Sequence, residues 1–154
     1  MHEVVFALEF RGRAGPVSGA EHLREARSTA PSQTLSTVLV PDGVMAQVEP
    51  VPGDTAVLES RVERFADGTF VEFGTITYGA AGSVVFDTIG RGWIAPSPDG
   101  CGVVGGVLWR VGEGTGRLTG AQGLITSNFT VTPAGEVVDN QFVRLYVPGL
   151  DRNV

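Results

Sequence analysis

Residues 122–147, QGLITSNFTVTPAGEVVDNQFVRLYV, contain two segments rich in β-branched and aromatic residues, joined by Pro133, Ala134 and Gly135. Neighbouring side chains of a β-strand point to opposite faces, so the alternation along each segment predicts a strand. A loop of about three residues is a common hairpin connection, and its length fixes how the two strands pair. The stretch therefore predicts an antiparallel hairpin with one largely apolar face.

That apolar face carries a few polar side chains near the middle of the hairpin. With a three-residue loop, Ser127 and Phe129 share a face with Asp139 and Gln141. A loop of another length would turn Asp139 and Gln141 outward, because a one-residue change of register exchanges the two faces of a strand. Both placements stay open on the sequence alone. In the first, burial would raise the pKa of Asp139 and make it a candidate general acid or base.

The same alternation recurs along the rest of the chain. The 22 glycines among 154 residues separate short apolar runs, as turns separate strands. We predict an all-β fold: a single antiparallel closed barrel of about eight strands with a ligand-sized lumen, formed by residues 1–154. Residues 12–33 are expected to be a loop or short helix that covers one barrel end. The other predicted strands are residues 4–11, 34–40, 43–49, 55–65, 69–78, 83–91 and 103–111.

A second hairpin is predicted around Asp67 and Gly68. An Asp-Gly pair favours a two-residue turn of type I′, because both residues tolerate a positive φ. Such a turn pairs Val62 with Phe73 and gives the hairpin one apolar face. It places Glu72 on the opposite, wet face of the hairpin.

Composition excludes several classes of partner and location. The net charge of −6 at pH 7 argues against nucleic acid as a partner. The one notable basic cluster is interrupted by Glu21 and Glu25 and is expected to be a solvated loop and helix face; its residues are Arg11, Arg13, Arg24 and Arg27. The single Cys101 rules out an internal disulfide and indicates a reducing compartment. The N-terminal residues lack the pattern of a secretory signal, and the chain has no apolar run of membrane-spanning length. We expect a cytoplasmic protein without a membrane partner.

The sequence also predicts that no cofactor and no metal is used. Metal-binding barrels usually employ several histidines, whereas this chain has only His2 and His22, neither on a predicted strand. The same shortage excludes a nucleophile activated by histidine. The glycine-rich run at residues 112–116 is not followed by a helix, so it predicts a tight turn and not a phosphate-binding loop.

The groups left for a catalytic role are carboxyl and hydroxyl groups that lie among aromatic side chains. The predicted catalytic residues are Asp139, Asp87 and Tyr78, the last as a hydrogen-bond donor to a substrate carbonyl. Each aspartate has the alternative of projecting outward or capping a turn, and Tyr78 that of a structural role at the end of its strand. Core packing is likewise an alternative role for the aromatic walls. The predicted substrate-binding residues are Phe73, Phe86, Trp93, Trp109, Phe129, Ser127 and Gln141.

Residues 114–129, GTGRLTGAQGLITSNF, and 135–146, GEVVDNQFVRLY, resemble the C-terminal third of the dirigent and allene oxide cyclase superfamily. The shared pattern is a Gly-Thr-Gly turn, an Ala-x-Gly entry into a strand and a long closing hairpin. Dirigent proteins often have Arg where this chain has Gln122. The resemblance implies an eight-stranded barrel, often oligomeric, whose lumen steers the cyclisation or coupling of reactive organic intermediates without a cofactor. Small bacterial barrels that close polyketide rings, including by 4+2 cycloaddition, are the implied analogues.

The function predicted from the sequence is that of a cofactor-independent cyclase or isomerase for a largely apolar natural-product intermediate. A non-catalytic small-molecule binding or carrier barrel, or a purely structural subunit, remains an alternative, because a reaction chamber and a carrier need similar walls. Residues 83–89 and 103–109 are apolar on both faces. Since a strand facing water should alternate, they predict a homodimer or homotrimer that buries an outer strip.

Overall fold

The computed structural model describes residues 1–149, and most of them lie in β-strands joined by short turns. The prediction of an all-β fold is confirmed. Within these residues, no helix is long and apolar enough to cross a membrane. The strands are β1 (His2–Val17), β2 (Ala20–Val40), β3 (Gly43–Arg64), β4 (Thr69–Tyr78), β5 (Ser83–Thr88), β6 (Gly92–Pro96), β7 (Val103–Gly114), β8 (Gln122–Val131) and β9 (Glu136–Val147).

The nine strands form one antiparallel sheet that closes in a ring. Most strands pair with the next strand along the chain. The first strand, β1, pairs with the last, β9, from His2 opposite Val147 to Arg13 opposite Glu136. The short strands β5 and β6 both lie between β4 and β7, so they share one place in the ring.

The hairpin of β8 and β9 has the predicted register. Phe129 pairs with Asp139, and Ser127 pairs with Gln141. The loop consists of three residues and ends at Gly135, whose φ of 86° lies in the left-handed region that favours glycine. The amide of Gly135 donates to the carbonyl of Thr132 at 2.9 Å and closes the turn. The prediction that Asp139 and Gln141 face the apolar side is therefore confirmed.

The hairpin of β3 and β4 does not have the predicted register. Val62 pairs with Glu72, not with Phe73. The loop has three residues and not two, because the amide of Gly68 donates to the carbonyl of Phe65 at 3.3 Å. Gly68, with φ of 82°, takes the left-handed position at the end of this longer loop. The resulting one-residue shift turns Glu72 into the ring and Phe73 out of it.

The expectation of a loop or short helix over residues 12–33 is wrong. β1 continues to Val17 and β2 begins at Ala20, with Gly19 in the tight turn between them at φ of 78°. Ala26 and Ala30 recur at the period of a strand and lie on its inner face. Pairing with β1 and β3 on both sides satisfies the backbone of this part of β2, which an isolated short helix would not do.

The ring is filled by large apolar side chains, while one hairpin extends beyond it. Phe10, Phe70 and Ile125 are fully buried in the core. Residues 33–40 of β2 and 43–50 of β3 pair only with each other and carry exposed apolar side chains. These two segments form a two-stranded arm that leaves the body of the sheet.

Candidate functional site

A cavity of about 230 Å³ lies within one end of the ring, beside the loop that joins β8 and β9. Strands from all sides of the ring contribute to its wall. Most of the wall is apolar, which suits a small, largely apolar ligand. Its apolar side chains include Leu58, Val62, Phe70, Ile94, Phe129 and Val137.

Asp139 lines this cavity and is buried, with 5% of its surface exposed. One carboxylate oxygen accepts a hydrogen bond from the Ser127 hydroxyl at 2.6 Å, and the other accepts one from the Gln141 amide at 2.7 Å. Burial raises the pKa of Asp139 to about 6, while the hydrogen bonds from Gln141 and Ser127 favour the ionised form and limit the rise. At neutral pH this carboxyl group is therefore mostly ionised.

Glu72 lines the same cavity and is buried to a similar extent. Its carboxyl group accepts one hydrogen bond, from the Ser60 hydroxyl at 2.6 Å. Burial raises the pKa of Glu72 to about 8; the Ser60 hydrogen bond opposes the rise, and the nearby charge of Asp139 adds to it. Glu72 is therefore mostly protonated at neutral pH, unlike Asp139.

Three arginines lie around the mouth of the cavity: Arg13 on β1, Arg24 on β2 and Arg64 on β3. The Nε atoms of Arg24 and Arg64 are buried without a hydrogen-bond partner among residues 1–149. Burial, and after it the positive charge of Arg24, lowers the pKa of Arg64. The mouth is thus positively charged, while the deeper wall carries the two carboxyl groups.

Four of the residues predicted from the sequence come together at this site. Asp139 and Phe129 line the cavity. Ser127 and Gln141 lie behind Asp139, buried, and hold its two carboxylate oxygens. All four were predicted from the register of one hairpin.

Three other predicted residues lie on the outer surface of the ring, so their assignment to the interior is wrong. Asp87 is exposed and forms an ion pair with Arg110 at 2.8 Å. Phe73 is 50% exposed because of the register shift in its hairpin. Trp93 is 58% exposed, because β6 turns its neighbour Ile94 toward the cavity instead.

Phe86, Trp109 and Tyr78 point into the ring but do not line the cavity. Phe86 and Trp109 stack at a centroid distance of 4.1 Å and are fully buried in the core. Tyr78 packs edge-on against Phe6, and burial raises the pKa of its hydroxyl group. The Tyr78 hydroxyl has no hydrogen-bond partner within the described part of the chain.

The sequence interpretation missed Glu72, Ser60, Arg24 and Arg64 as site residues. The prediction places Glu72 on the wet face because an Asp-Gly pair by itself favours a two-residue turn. One signal was present: Ala66, Asp67 and Gly68 form a three-residue loop ending in glycine, like residues 133–135.

The described residues contain no group of three or more His, Cys, Asp or Glu side chains placed to hold a metal ion. The ring and its cavity define an all-β protein with two buried carboxyl groups facing one apolar chamber. No protein family model, curated protein or solved structure matches the chain.

Proposed function

We propose that this protein is a cofactor-independent cyclase or isomerase that acts on a small, largely apolar natural-product intermediate. In this proposal the ring is a closed barrel of about eight strands, since β5 and β6 share one place, and the cavity is its lumen. The observation that carries the proposal is the pair Glu72 and Asp139. Their pKa values, about 8 and about 6, lie on opposite sides of neutrality in one apolar cavity.

The pair can supply an acid and a base at the same pH. Protonated Glu72 donates a hydrogen bond to a substrate carbonyl oxygen and stabilises the charge that develops there. Ionised Asp139 takes a proton from the carbon next to that carbonyl as Glu72 transfers its own proton to the oxygen, which gives an enol; Glu72 takes that proton back when the carbonyl forms again. Return of the proton at a more distant carbon moves the double bond, and attack of the enol carbon on a second electrophilic carbon closes a ring.

The walls supply the second part of the mechanism. Apolar side chains on several strands hold one conformer of a mobile substrate, and such orientation can contribute several kcal/mol to a ring closure. The resemblance of residues 114–146 to the dirigent and allene oxide cyclase superfamily supports the same reaction class. Polyketide ring closure, including 4+2 cycloaddition, is the form of the reaction that this resemblance favours.

A small enone tests the acid and base roles directly. We expect the protein to convert 3-cyclohexen-1-one into the conjugated 2-cyclohexen-1-one, followed by ultraviolet absorbance, with a maximal rate between about pH 6 and pH 8. Asp139→Asn and Glu72→Gln should each lower the rate by about a hundredfold, because each removes one proton-transfer group.

The matched control for both variants is Asp87→Asn, which changes an exposed carboxylate on the outer surface and should keep the full rate. A wild-type rate equal to that of buffer, or unchanged rates in both cavity variants, would refute the proposed acid and base roles.

A non-catalytic binding or carrier barrel is the second candidate. The observation that favours it is that both oxygens of Asp139 already accept hydrogen bonds from the protein, as in a group whose role is to fix the shape of the cavity. A carrier would bind small enones without converting them, so the same assay separates the two functions.

We also propose that the protein forms a homodimer or homotrimer in the cytoplasm. The support for an oligomer is the exposure of Phe73 and Trp93 on the outer surface of β4 and β6, where a subunit contact would cover them.

A further inference from the structure

The chain has eleven arginines and no lysine. Apart from Arg117, which has no ion pair and does not line the cavity, the arginines of residues 1–149 fall into two groups. Six form ion pairs with Asp or Glu. Arg13, Arg24 and Arg64, around the mouth of the cavity, have no such pair within residues 1–149. Three of the four described arginines without a carboxylate partner therefore lie at the place where a ligand would enter.

Arg24 and Arg64 lie side by side on the inner face of neighbouring strands. Arg24 pairs with Val62, two residues before Arg64. Burial, and after it the positive charge of Arg24, lowers the pKa of Arg64, so the charged form of Arg64 is disfavoured in the empty cavity. Their Nε atoms are also buried without a partner, which costs free energy in the empty protein. A bound anion would relieve both penalties at once.

We infer that Arg24 and Arg64 bind the carboxylate of the substrate, which makes the substrate an apolar organic acid. A guanidinium group is planar and presents parallel N–H donors that match the two oxygens of a carboxylate. Arg13 adds positive charge beside them; its Nη2 donates to the carbonyl of Ala134 at 2.8 Å, which anchors it at the mouth. This inference rests on the proposed function, because it names the substrate class of the same cavity.

The arrangement also orients the substrate. Arg64 pairs with Phe70 beside the loop that joins β3 and β4. Glu72 lies two residues further along β4, away from that loop. A carboxylate at the arginines would therefore direct the apolar body inward, toward Glu72 and Asp139. Glu72 adds little opposing charge, because it is mostly protonated at neutral pH. Against a net charge of −6, the arginines form a local positive field that attracts an acid.

Two ligands that differ only in charge test the inference. We would measure the binding of 4-phenylbutyrate and of 4-phenylbutyramide by isothermal titration calorimetry at pH 7. The acid should bind at least about tenfold more tightly than the amide to the wild type, as expected for a charge-assisted pair. In the double variant Arg24→Gln/Arg64→Gln, the two ligands should bind with equal affinity.

Two further variants sharpen this result. Arg27→Gln, on the same strand but in an exposed ion pair with Glu59, is the matched control and should keep the full preference for the acid. Arg64→Lys retains the charge but loses the planar fork, so part of the preference should remain. Thermal unfolding of each variant shows whether it is folded.

The outcomes separate this inference from the proposed function. Equal binding of acid and amide by the wild type, binding of neither, or a preference that survives in the double variant would overturn the inference. If the preference is present and depends on the arginines but no enone is isomerised, the carboxylate site stands and the proposed catalysis fails.

Discussion

The hairpins β3–β4 and β8–β9 are built alike, yet they carry carboxyl groups of different character. Each has a three-residue loop that ends in a glycine, Gly68 or Gly135. In each, a serine lies eight positions before that glycine, and the acid lies four positions after it. The serine donates to the acid at 2.6 Å in both hairpins. Even so, the pKa of Glu72 rises to about 8 and that of Asp139 only to about 6.

One position accounts for much of the difference. The residue opposite the serine is Gly74 in the first hairpin and Gln141 in the second. The Gln141 amide gives Asp139 a second hydrogen bond, whereas Gly74 has no side chain to offer Glu72. A side chain at Gly74 would collide with the backbone of Glu59. The comparison teaches that one backbone plan can yield an acid or a base when the burial of the carboxyl group, the number of its donors and the charge beside it differ.

The largest effect on this comparison is expected from Glu72→Gln. The pKa of Glu72 is higher in the folded protein, about 8, than the ordinary value of 4.5. Its contribution to stability is therefore full below about pH 4.5 and is lost as the pH rises to 8. At about 1.4 kcal/mol per pKa unit, the wild type should lose on the order of 5 kcal/mol over this range. The free energy of unfolding of the variant, measured by chemical denaturation between pH 4.5 and 9, should not show this loss.

Asp139→Asn should have a smaller effect in a lower pH window. The folded pKa of about 6 lies above the ordinary 3.8, so the stability that Asp139 contributes is lost between about pH 4 and 6. The expected loss is about 3 kcal/mol by the same conversion. The free energy of unfolding of the variant, measured by chemical denaturation, should change less with pH below pH 6 than that of the wild type. Identical windows for the two variants would contradict the assignment of an acid and a base.

Gln141→Ala should make the second hairpin resemble the first. Without the Gln141 amide, Asp139 keeps only the Ser127 hydrogen bond, so its pKa should rise toward that of Glu72. A hydrogen bond to a charged group contributes about 1.5–3 kcal/mol, which sets the expected size of the change. In the pH profile of the enone isomerisation rate, the acidic limb should move to higher pH. Gln122→Ala, at an exposed glutamine, is the control and should leave this limb in place.

The same pair of hairpins shows how far the sequence could be interpreted. The register of β8–β9 followed from the loop Pro133, Ala134 and Gly135, and with it came Asp139, Gln141 and Ser127. In β3–β4 the Asp-Gly pair favoured a shorter turn. A one-residue error in the predicted register of this hairpin therefore turned Glu72 outward and Phe73 inward.

Other misassignments have different physical causes. The short strands β5 and β6 carry apolar residues on both faces, so alternation could not tell that Asp87 and Trp93 point outward. For Arg24, the charged residues around it interrupt the apolar alternation, so its segment predicts a loop or helix although it pairs with both β1 and β3. The charged side chain of Arg64 points into the ring next to a turn, and the cavity beside it explains this placement. The sequence alone does not show that cavity.

The pairing of β1 with β9 has a consequence for how the chain folds. Nearly all other pairings join neighbouring segments and need only short loops to close. His2 meets Val147, so the final seam brings together the two most distant strands of the sheet. Contacts of such long sequence separation slow folding, because the entropy of loop closure is lost before the contact forms. On the ribosome, the sheet must remain an open meander with two free edges until β9 has emerged.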